Sequence, residues 1–218
     1  MMSKDAGTPP RAQSDEAYLR LEELIVTLEL EPGASITEGA LIERVGLGRT
    51  PVREAVQRLA LEGFLIVRPR AGLAIAPLRP EDWPKVLDAR RGVETVLARS
   101  AARNLGEEAA LKFQSAAKAM QAAVTAGDKR AFLAADKSFD AALGLAAGNL
   151  FAERLAAPLQ THSRRFWYAS ATEGDLAPAA RNHLGVIEAI INRVEAEAEA
   201  RTLALMTMLD AMAARTSG

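Results

Sequence analysis

The sequence predicts a mostly α-helical protein: an N-terminal winged helix-turn-helix of three helices plus a two-stranded wing, then a C-terminal all-α bundle of about six helices. Three observations carry that prediction. Apolar residues recur at a helical period of about 3.6 through most of the 218 residues. One stretch, residues 64–77, alternates instead. Beyond residue 79 the composition shifts to Ala and Leu with no convincing strand.

Taken in order, residues 1–13 are polar, with Thr8-Pro9-Pro10, and read as a disordered tail. From about Ser14 the spacing Tyr18, Leu21, Leu24, Ile25, Leu28 predicts a first amphipathic helix, capped by Ser14 or Asp15 and ended by Glu31-Pro32-Gly33. Thr37 is the natural N-cap of a short second helix to Val45 that keeps Ala40 and Leu41 inward, and Gly46 stops it. A third helix begins near Thr50, where Pro51 suits the first turn because its missing N–H has no intrahelical partner there. Phe64 to Arg68 and Leu73 to Pro77 then form the wing hairpin, with Arg70 and Gly72 at its tip. The domain so defined covers 14–78.

The second domain, 79–218, opens with a short linker and carries helices near 82–104, 107–126, 128–146, 149–171, 178–192 and 195–214. The breaks are read at Gly106, Gly127, Gly148, Gly174 to Pro178, and Arg193 to Val194.

Composition narrows the function classes. A hydrophobic fraction of 49% suffices for a core, and cysteine is absent, which removes disulfides, thiolate metal sites and thiol catalysis. The N-terminus has no apolar signal segment, and no apolar run approaches the roughly 20 residues of a membrane helix, so a cytoplasmic protein without membrane contact is expected. The net charge of −1 argues against a generic nucleic-acid coat. Between Arg44 and Gly72, however, six arginines (Arg44, Arg49, Arg53, Arg58, Arg68, Arg70) face two acids (Glu54, Glu62), a local charge of +4.

That basic stretch contains the most informative helix. Val52, Ala55, Val56 and Leu59 share one face, while Thr50, Arg53, Gln57 and Arg58 fall on or beside the other. A helix with one face for a core and a basic, hydrogen-bonding face suits the DNA major groove, its N-terminal residues near base edges and phosphates. Gly72 lets the wing tip approach a phosphate or the minor groove. The candidate DNA-binding residues are Arg49, Thr50, Pro51, Arg53, Gln57, Arg68, Arg70 and Gly72. Arg58 has an alternative, pairing with Glu54 or Glu62 one turn away.

In the C-terminal half, Asp136 and Asp140 are four apart on a helix and share a stripe with Phe132, Phe139 and Leu143. Two carboxylates on an apolar face are costly unless a cation meets them. His183 is in register with Ile187, Ile190 and Ile191 and so lies on the inner side of its helix. These residues either hold a metal or an effector, or they are internal: an acid paired with a buried arginine, and a hydrogen-bonded core histidine. Arg90 and Glu94 lie one turn apart, so Arg90 either binds an effector carboxylate or pairs with Glu94 or Asp136. Trp167, in the basic-aromatic run Arg164-Arg165-Phe166-Trp167-Tyr168, is the best candidate for a flat pocket wall, the alternative being plain core. His162 reads as a structural residue.

Together these residues resemble the GntR family of bacterial transcription factors, in its FadR-like branch with an all-helical FCD effector domain. The carriers are Leu30-Glu31-Pro32-Gly33, Leu41-Ile42-Glu43, Gly48-Arg49-Thr50-Pro51-Val52-Arg53-Glu54-Ala55, Leu59 to Gly63 and Arg68-Pro69-Arg70-Ala71-Gly72, with Arg90 to Glu94 and Ala147-Gly148-Asn149 further on. The resemblance implies that Arg49 and Arg53 read bases, Thr50 binds phosphate and Gly72 marks the wing. Gly48 stands where the family has Ser or Thr. It also implies a divalent metal, zinc, nickel or manganese, on one Asp and three His. Asp136 matches the Asp, Asp140 stands where a His is usual, His183 matches a His, and Leu205 replaces the last His. The site is thus degraded, with Asp136, Asp140 and His183 as its remaining candidates.

The function expected from this resemblance is a homodimeric DNA-binding transcriptional regulator, a repressor, on a palindromic operator. Its effector, a small organic acid, is expected at Arg90, Asp136, Asp140, Trp167 and His183. An enzyme working through the helical-domain pocket is the rival reading, but no nucleophile elbow, phosphate loop or dense ligand motif accompanies those residues, so no catalytic residue is assigned. A winged-helix module that binds protein through the same face is the other rival.

Overall fold

A computed structural model describes residues 10–70 and 72–216, which divide into two compact units at Leu78 and Arg79. In the first unit, α1 (Pro10–Val26) is followed by β1 (Ser35–Ile36), α2 (Glu38–Val45), α3 (Arg49–Leu61), β2 (Leu65–Arg68) and β3 (Gly72–Ile75). Thr37 caps α2, its hydroxyl oxygen accepting the Ala40 N–H at 3.1 Å, and Gly46 ends it at φ 69, a left-handed conformation that a Cβ would strain. Leu21, Ile25, Leu41, Val52, Leu59 and Phe64 form the centre of the core, each no more than 1% exposed.

Three expectations change here. Helix α1 begins at Pro10, so residues 10–13 are helical, and the rest of the expected disordered tail lies outside the described residues. A proline at the start of a helix loses no hydrogen bond, so the polar composition did not prevent helix formation. The same helix ends at Val26, not at Glu31-Pro32-Gly33. Leu28 takes a left-handed φ of 60°, and the Leu30 N–H closes back on Leu24 O at 3.0 Å. No glycine marks that stop, which hides it from the sequence. Finally, the sheet has three strands in the order β1-β3-β2, all antiparallel. Ser35 pairs with Ala74 and Ile36 with Leu73, and two residues are too few to show alternation. The wing hairpin itself registers Leu65 with Ile75 and Arg68 with Gly72.

Tyr18, Arg58 and Glu62 tie α1 to α3. The Arg58 guanidinium carbon lies 3.7 Å from the Tyr18 ring centroid, the Tyr18 hydroxyl donates to Glu62 Oε2 at 2.6 Å, and Arg58 Nε donates to Glu62 Oε1 at 3.0 Å. Burial, followed by the Glu62 hydrogen bond, raises the Tyr18 pKa.

The second unit opens with a 3-10 turn, Pro80–Asp82, and continues as α4 (Trp83–Asn104), α5 (Glu107–Ala126), α6 (Lys129–Ala147), α7 (Leu150–Ser170), α8 (Glu173–Ile191) and α9 (Glu195–Thr216). Helix α4 packs against α6, α7, α8 and α9 and so forms the middle of the bundle. Two chain steps each end one helix and start the next: Gly127 ends α5 while Asp128 accepts the Ala131 N–H, and Gly148 ends α6 while Asn149 accepts the Ala152 N–H. Helix α8 starts five residues before the expected 178. Asp175 Oδ2 accepts from both the N–H and the hydroxyl of Thr172, at 2.9 and 2.8 Å, and this cap begins the helix upstream of Pro178. Pro178 then lies inside the helix, where it removes one hydrogen bond. Arg215, in the last turn of α9, donates to Asp175 Oδ1 at 2.6 Å.

Candidate functional site

Helix α3 presents the pattern that DNA contact needs. Val52, Ala55, Val56 and Leu59 are buried, while Arg49, Thr50, Arg53 and Gln57 are exposed on the other side. Pro51 departs from the candidate set: it is buried in the first turn, so its part is to start the helix and not to touch a partner. Gly48 caps the helix with no side-chain hydrogen bond. Arg53 is held loosely, Nε and Nη2 each 3.4 Å from a different oxygen of Glu38 at the start of α2, with 59% of the arginine side chain exposed. Arg58, by contrast, belongs to the Tyr18–Glu62 tie.

On the wing, Arg68 Nη1 donates to Ser35 Oγ at 3.4 Å, and both Arg68 and Arg70 are exposed. Arg70 has φ 64 and Gly72 φ 84. At Gly72 a Cβ would be strained by that left-handed dihedral, while its 3.5 Å approach to Ile36 O would be an ordinary contact, so the backbone conformation is what calls for glycine.

In the helical unit, a cavity of about 20 Å³, room for a single water, lies among Arg90, Phe132, Asp136, Arg164, Trp167 and His183. Helix α6 contributes Asp136 and Asp140 one turn apart, α7 Arg164 and Trp167, α8 His183 and α4 Arg90. His183 Nδ1 is 2.8 Å from Ala179 O, and since a carbonyl can only accept, Nδ1 carries a proton. Its Nε2 lies 2.8 Å from Asp136 Oδ1. Arg164 Nη1 donates to Asp140 Oδ2 and is 3.5 Å from Asp136 Oδ2, while Nη2 donates to Thr161 Oγ1 at 2.7 Å. Arg90 Nε donates to Glu94 Oε1 at 2.7 Å. Phe132 stacks on Trp167 at 5.1 Å, and both Phe132 and Phe139 meet the His183 ring in near-perpendicular, T-shaped pairs.

The protonation states follow from these contacts. Burial disfavours an ionised Asp136, yet the His183 hydrogen bond and charge, helped by Arg164 and Arg90, outweigh it and hold this carboxyl below its ordinary value. Burial likewise disfavours the His183 imidazolium, and the Asp136 hydrogen bond and charge overcome it, raising the pKa. Asp140 goes the other way: burial and then the neighbouring Asp136 charge raise it, against the pull of Arg164. Burial alone lowers Arg165 to about 10. Two buried atoms, Asp140 Oδ1 and Trp167 Nε1, have no hydrogen-bond partner among the described residues.

Of the five expected pocket residues, Arg90, Asp136, Trp167 and His183 line the cavity, and Asp140 joins them through its ion pair with Arg164. Within this cluster Arg90 pairs with Glu94, Asp140 pairs with an internal arginine, and His183 is hydrogen-bonded inside the core. Arg164 is the residue that sequence reasoning left unassigned. It lies three positions before Trp167, on the same side of α7, and that spacing was the available signal.

The metal expectation does not fit these residues. Asp136 and Asp140 share the Arg164 guanidinium, His183 Nε2 faces Asp136, and Leu205 is a buried aliphatic side chain with no donor atom. Among the described residues, no group of three His, Cys, Asp or Glu is arranged to hold an ion. No helix of the described residues is long and apolar enough to cross a membrane.

Comparison with known proteins agrees with this two-part design. Residues 13–75 match the model of the bacterial regulatory proteins of the gntR family, and residues 85–208 match the FCD domain. The chain is 39% identical over 85 residues to an uncharacterized HTH-type transcriptional regulator in an unstable DNA locus of Streptomyces ambofaciens; that match spans 39% of this chain and 35% of the relative. It is 28% identical over 158 residues to a protein of Paenarthrobacter nicotinovorans named "Probable D-xylose utilization operon transcriptional repressor", covering 72% of this chain and 70% of the relative. Among solved structures, E. coli McbR/YncC superposes with a TM-score of 0.82 over 100% of both chains at 18% identity, a likeness of fold. The exposed basic helix lies within the gntR match and the charged internal pocket within the FCD match, and this protein is a transcriptional regulator of the bacterial gntR family carrying an FCD domain.

Proposed function

We propose that this regulator is a homodimeric cytoplasmic repressor that reads a palindromic operator in double-stranded DNA and is controlled by a small organic acid. The observation that carries the reading is the exposed row Arg49, Thr50, Arg53 and Gln57 on a helix whose other side is buried. Arg49 and Arg53 donate to guanine O6 and N7, Thr50 binds phosphate, and Arg68, Arg70 and Gly72 bring the wing to the backbone. One such helix reads few base pairs, and two related by a two-fold axis match a palindrome. The repressor name of the Paenarthrobacter relative supports the sign of regulation.

In the helical domain, Arg90 and Arg164 supply positive charge for a carboxylate, and Trp167 Nε1–H supplies a buried donor in need of an acceptor. Because the cavity holds only about one water, an acid enters by displacing parts of the existing ion pairs, which couples binding to a shift of α6, α7 and α8. The domain binds its ligand and does not transform it.

Selection of binding sites from random duplexes by the full chain tests this. A palindromic site that Arg49→Ala and Arg53→Ala lose is expected. A site bound equally by these variants, with an unchanged salt slope, sinks the DNA assignment. Small mono- and dicarboxylic acids are then added to the complex, and release with the acid recovered unmodified is expected. Release by neutral sugars alone overturns the acid effector, and a modified product overturns the sensor reading in favour of an enzyme.

A further inference from the structure

Asp136, Asp140 and His183 converge from α6 and α8, and a cation is already part of their cluster. Arg164 Nη1 donates to Asp140 Oδ2 and lies 3.5 Å from Asp136 Oδ2, so a single guanidinium nitrogen serves both carboxylates. We infer that the Arg164 guanidinium takes the place a divalent ion would need, making this FCD pocket metal-independent by construction of its own side chains.

The guanidinium is held, not passing through. Nη2 donates to Thr161 Oγ1 at 2.7 Å, one turn back on α7, and only 8% of the arginine side chain is exposed. The remaining carboxylate oxygen of Asp136 is engaged as well, by His183 Nε2 at 2.8 Å. His183 Nδ1 is committed to Ala179 O, so Nε2 is the one nitrogen with which it could ligate, and a metal would have to displace Asp136 from it. Charge points the same way. Within this cluster the acids Glu94, Asp136 and Asp140 are already met by Arg90, Arg164 and His183. A divalent ion would add two charges to that buried set, beside an arginine that cannot give up its proton. The inference concerns the cation of the pocket and not the identity of the effector, so either can fail alone.

The test uses the full chain purified without nickel contact. Zinc, nickel and manganese are titrated by calorimetry, with elemental analysis after gel filtration. The wild type is expected to retain no stoichiometric metal. Arg164→Met is expected to bind zinc at least about tenfold more tightly than the wild type, and to lose the gain on adding His183→Ala, because removing the guanidinium frees both aspartates. Arg164→Lys keeps a cation and is expected to behave as the wild type. One equivalent bound by the wild type and abolished by His183→Ala overturns the inference. So does a folded Arg164→Met that gains nothing, or an Arg164→Lys that binds as Arg164→Met does. If Arg164→Met does not fold, the wild type alone decides by NMR. The guanidinium proton signals of Arg164 are expected to remain unshifted under excess zinc, and their displacement by the metal overturns the proposal.

Discussion

Arginine does two different things in the two halves of this chain. In the DNA-reading domain, Arg53 meets Glu38 at 3.4 Å with 59% of its side chain exposed. In the helical domain, Arg164 meets Asp140 and Asp136 with 8% exposed. An exposed ion pair of that length is worth about 0–1 kcal/mol, so exchanging Glu38 for a base or a phosphate costs little. Breaking a buried pair from one side costs about 3–5 kcal/mol, because the partner is left charged and dry. The first arrangement leaves an arginine ready for a new partner. The second requires any newcomer to replace, in kind, what it displaces, and that requirement is the reason a carboxylate is proposed.

The sharpest way to break this contrast is Asp136→Ala. It strips His183 of its partner and leaves Arg164 with one acid, and a loss of about 3–5 kcal/mol is expected in urea unfolding of the helical domain. A loss below about 1 kcal/mol would mean that the pocket charges are as loosely held as those on α3. Part of the same energy is readable by pH. The raised His183 pKa contributes stability that is present below its ordinary 6.5 and is lost as pH rises through the raised value. The raised Asp140 pKa adds loss in the same direction. The lowered Asp136 pKa contributes stability above its ordinary 3.8 that is lost as pH falls through the depressed value. Melting temperature should therefore decline as pH rises from the ordinary carboxyl value of 3.8 through the Asp140 window, more steeply above 6.5 where His183 adds its loss, and again in acid, and His183→Gln should flatten only the steeper part. An identical slope in that variant would detach the imidazole from the pocket charges.

The remaining predictions probe the exposed side. Arg53→Ala is expected to cost about 1–3 kcal/mol in operator binding by fluorescence anisotropy. The melting temperature of the chain should hardly move. Tyr18→Phe removes the hydroxyl that donates to Glu62 and should cost about 1 kcal/mol of stability in the first unit, while base preference in site selection stays the same. Glu38→Gln is the smallest change. It should leave stability within about 0.5 kcal/mol and slightly raise DNA affinity, since Arg53 then has no competing acid. A fall in affinity would show instead that Glu38 aims Arg53.

Much of the fold was legible because local chemistry punctuates it. Thr37 and Gly46 bracket α2, and the steps Gly127-Asp128 and Gly148-Asn149 separate α5, α6 and α7, so these boundaries could be read to within a residue or so. Boundaries set by something else were missed. The stop of α1 depends on a leucine in a left-handed conformation, and the start of α8 depends on a cap that outweighs Pro178. Strand β1 exists only because β3 lies beside it. The pocket shows the same limit. Periodicity placed Asp136, Asp140 and His183 on inner faces, but a helical period reports which way a side chain faces and not which helix meets it. The spacing to Trp167 put Arg164 on the same side of α7, but its two aspartate partners became legible once α7 was seen against α6.

The ion pair between Arg215 and Asp175 ties the last turn of α9 to the first turn of the helix that carries His183. Arg215 keeps 58% of its side chain exposed, so the link is open to solvent although the pocket is not. The carboxyl end of the chain is thus a place to listen to the pocket from outside. A fluorophore on a cysteine introduced at the neighbouring exposed Ala214, in a protein with no other thiol, leaves the Arg215–Asp175 pair in place and would report movement of α8 without touching a single pocket residue.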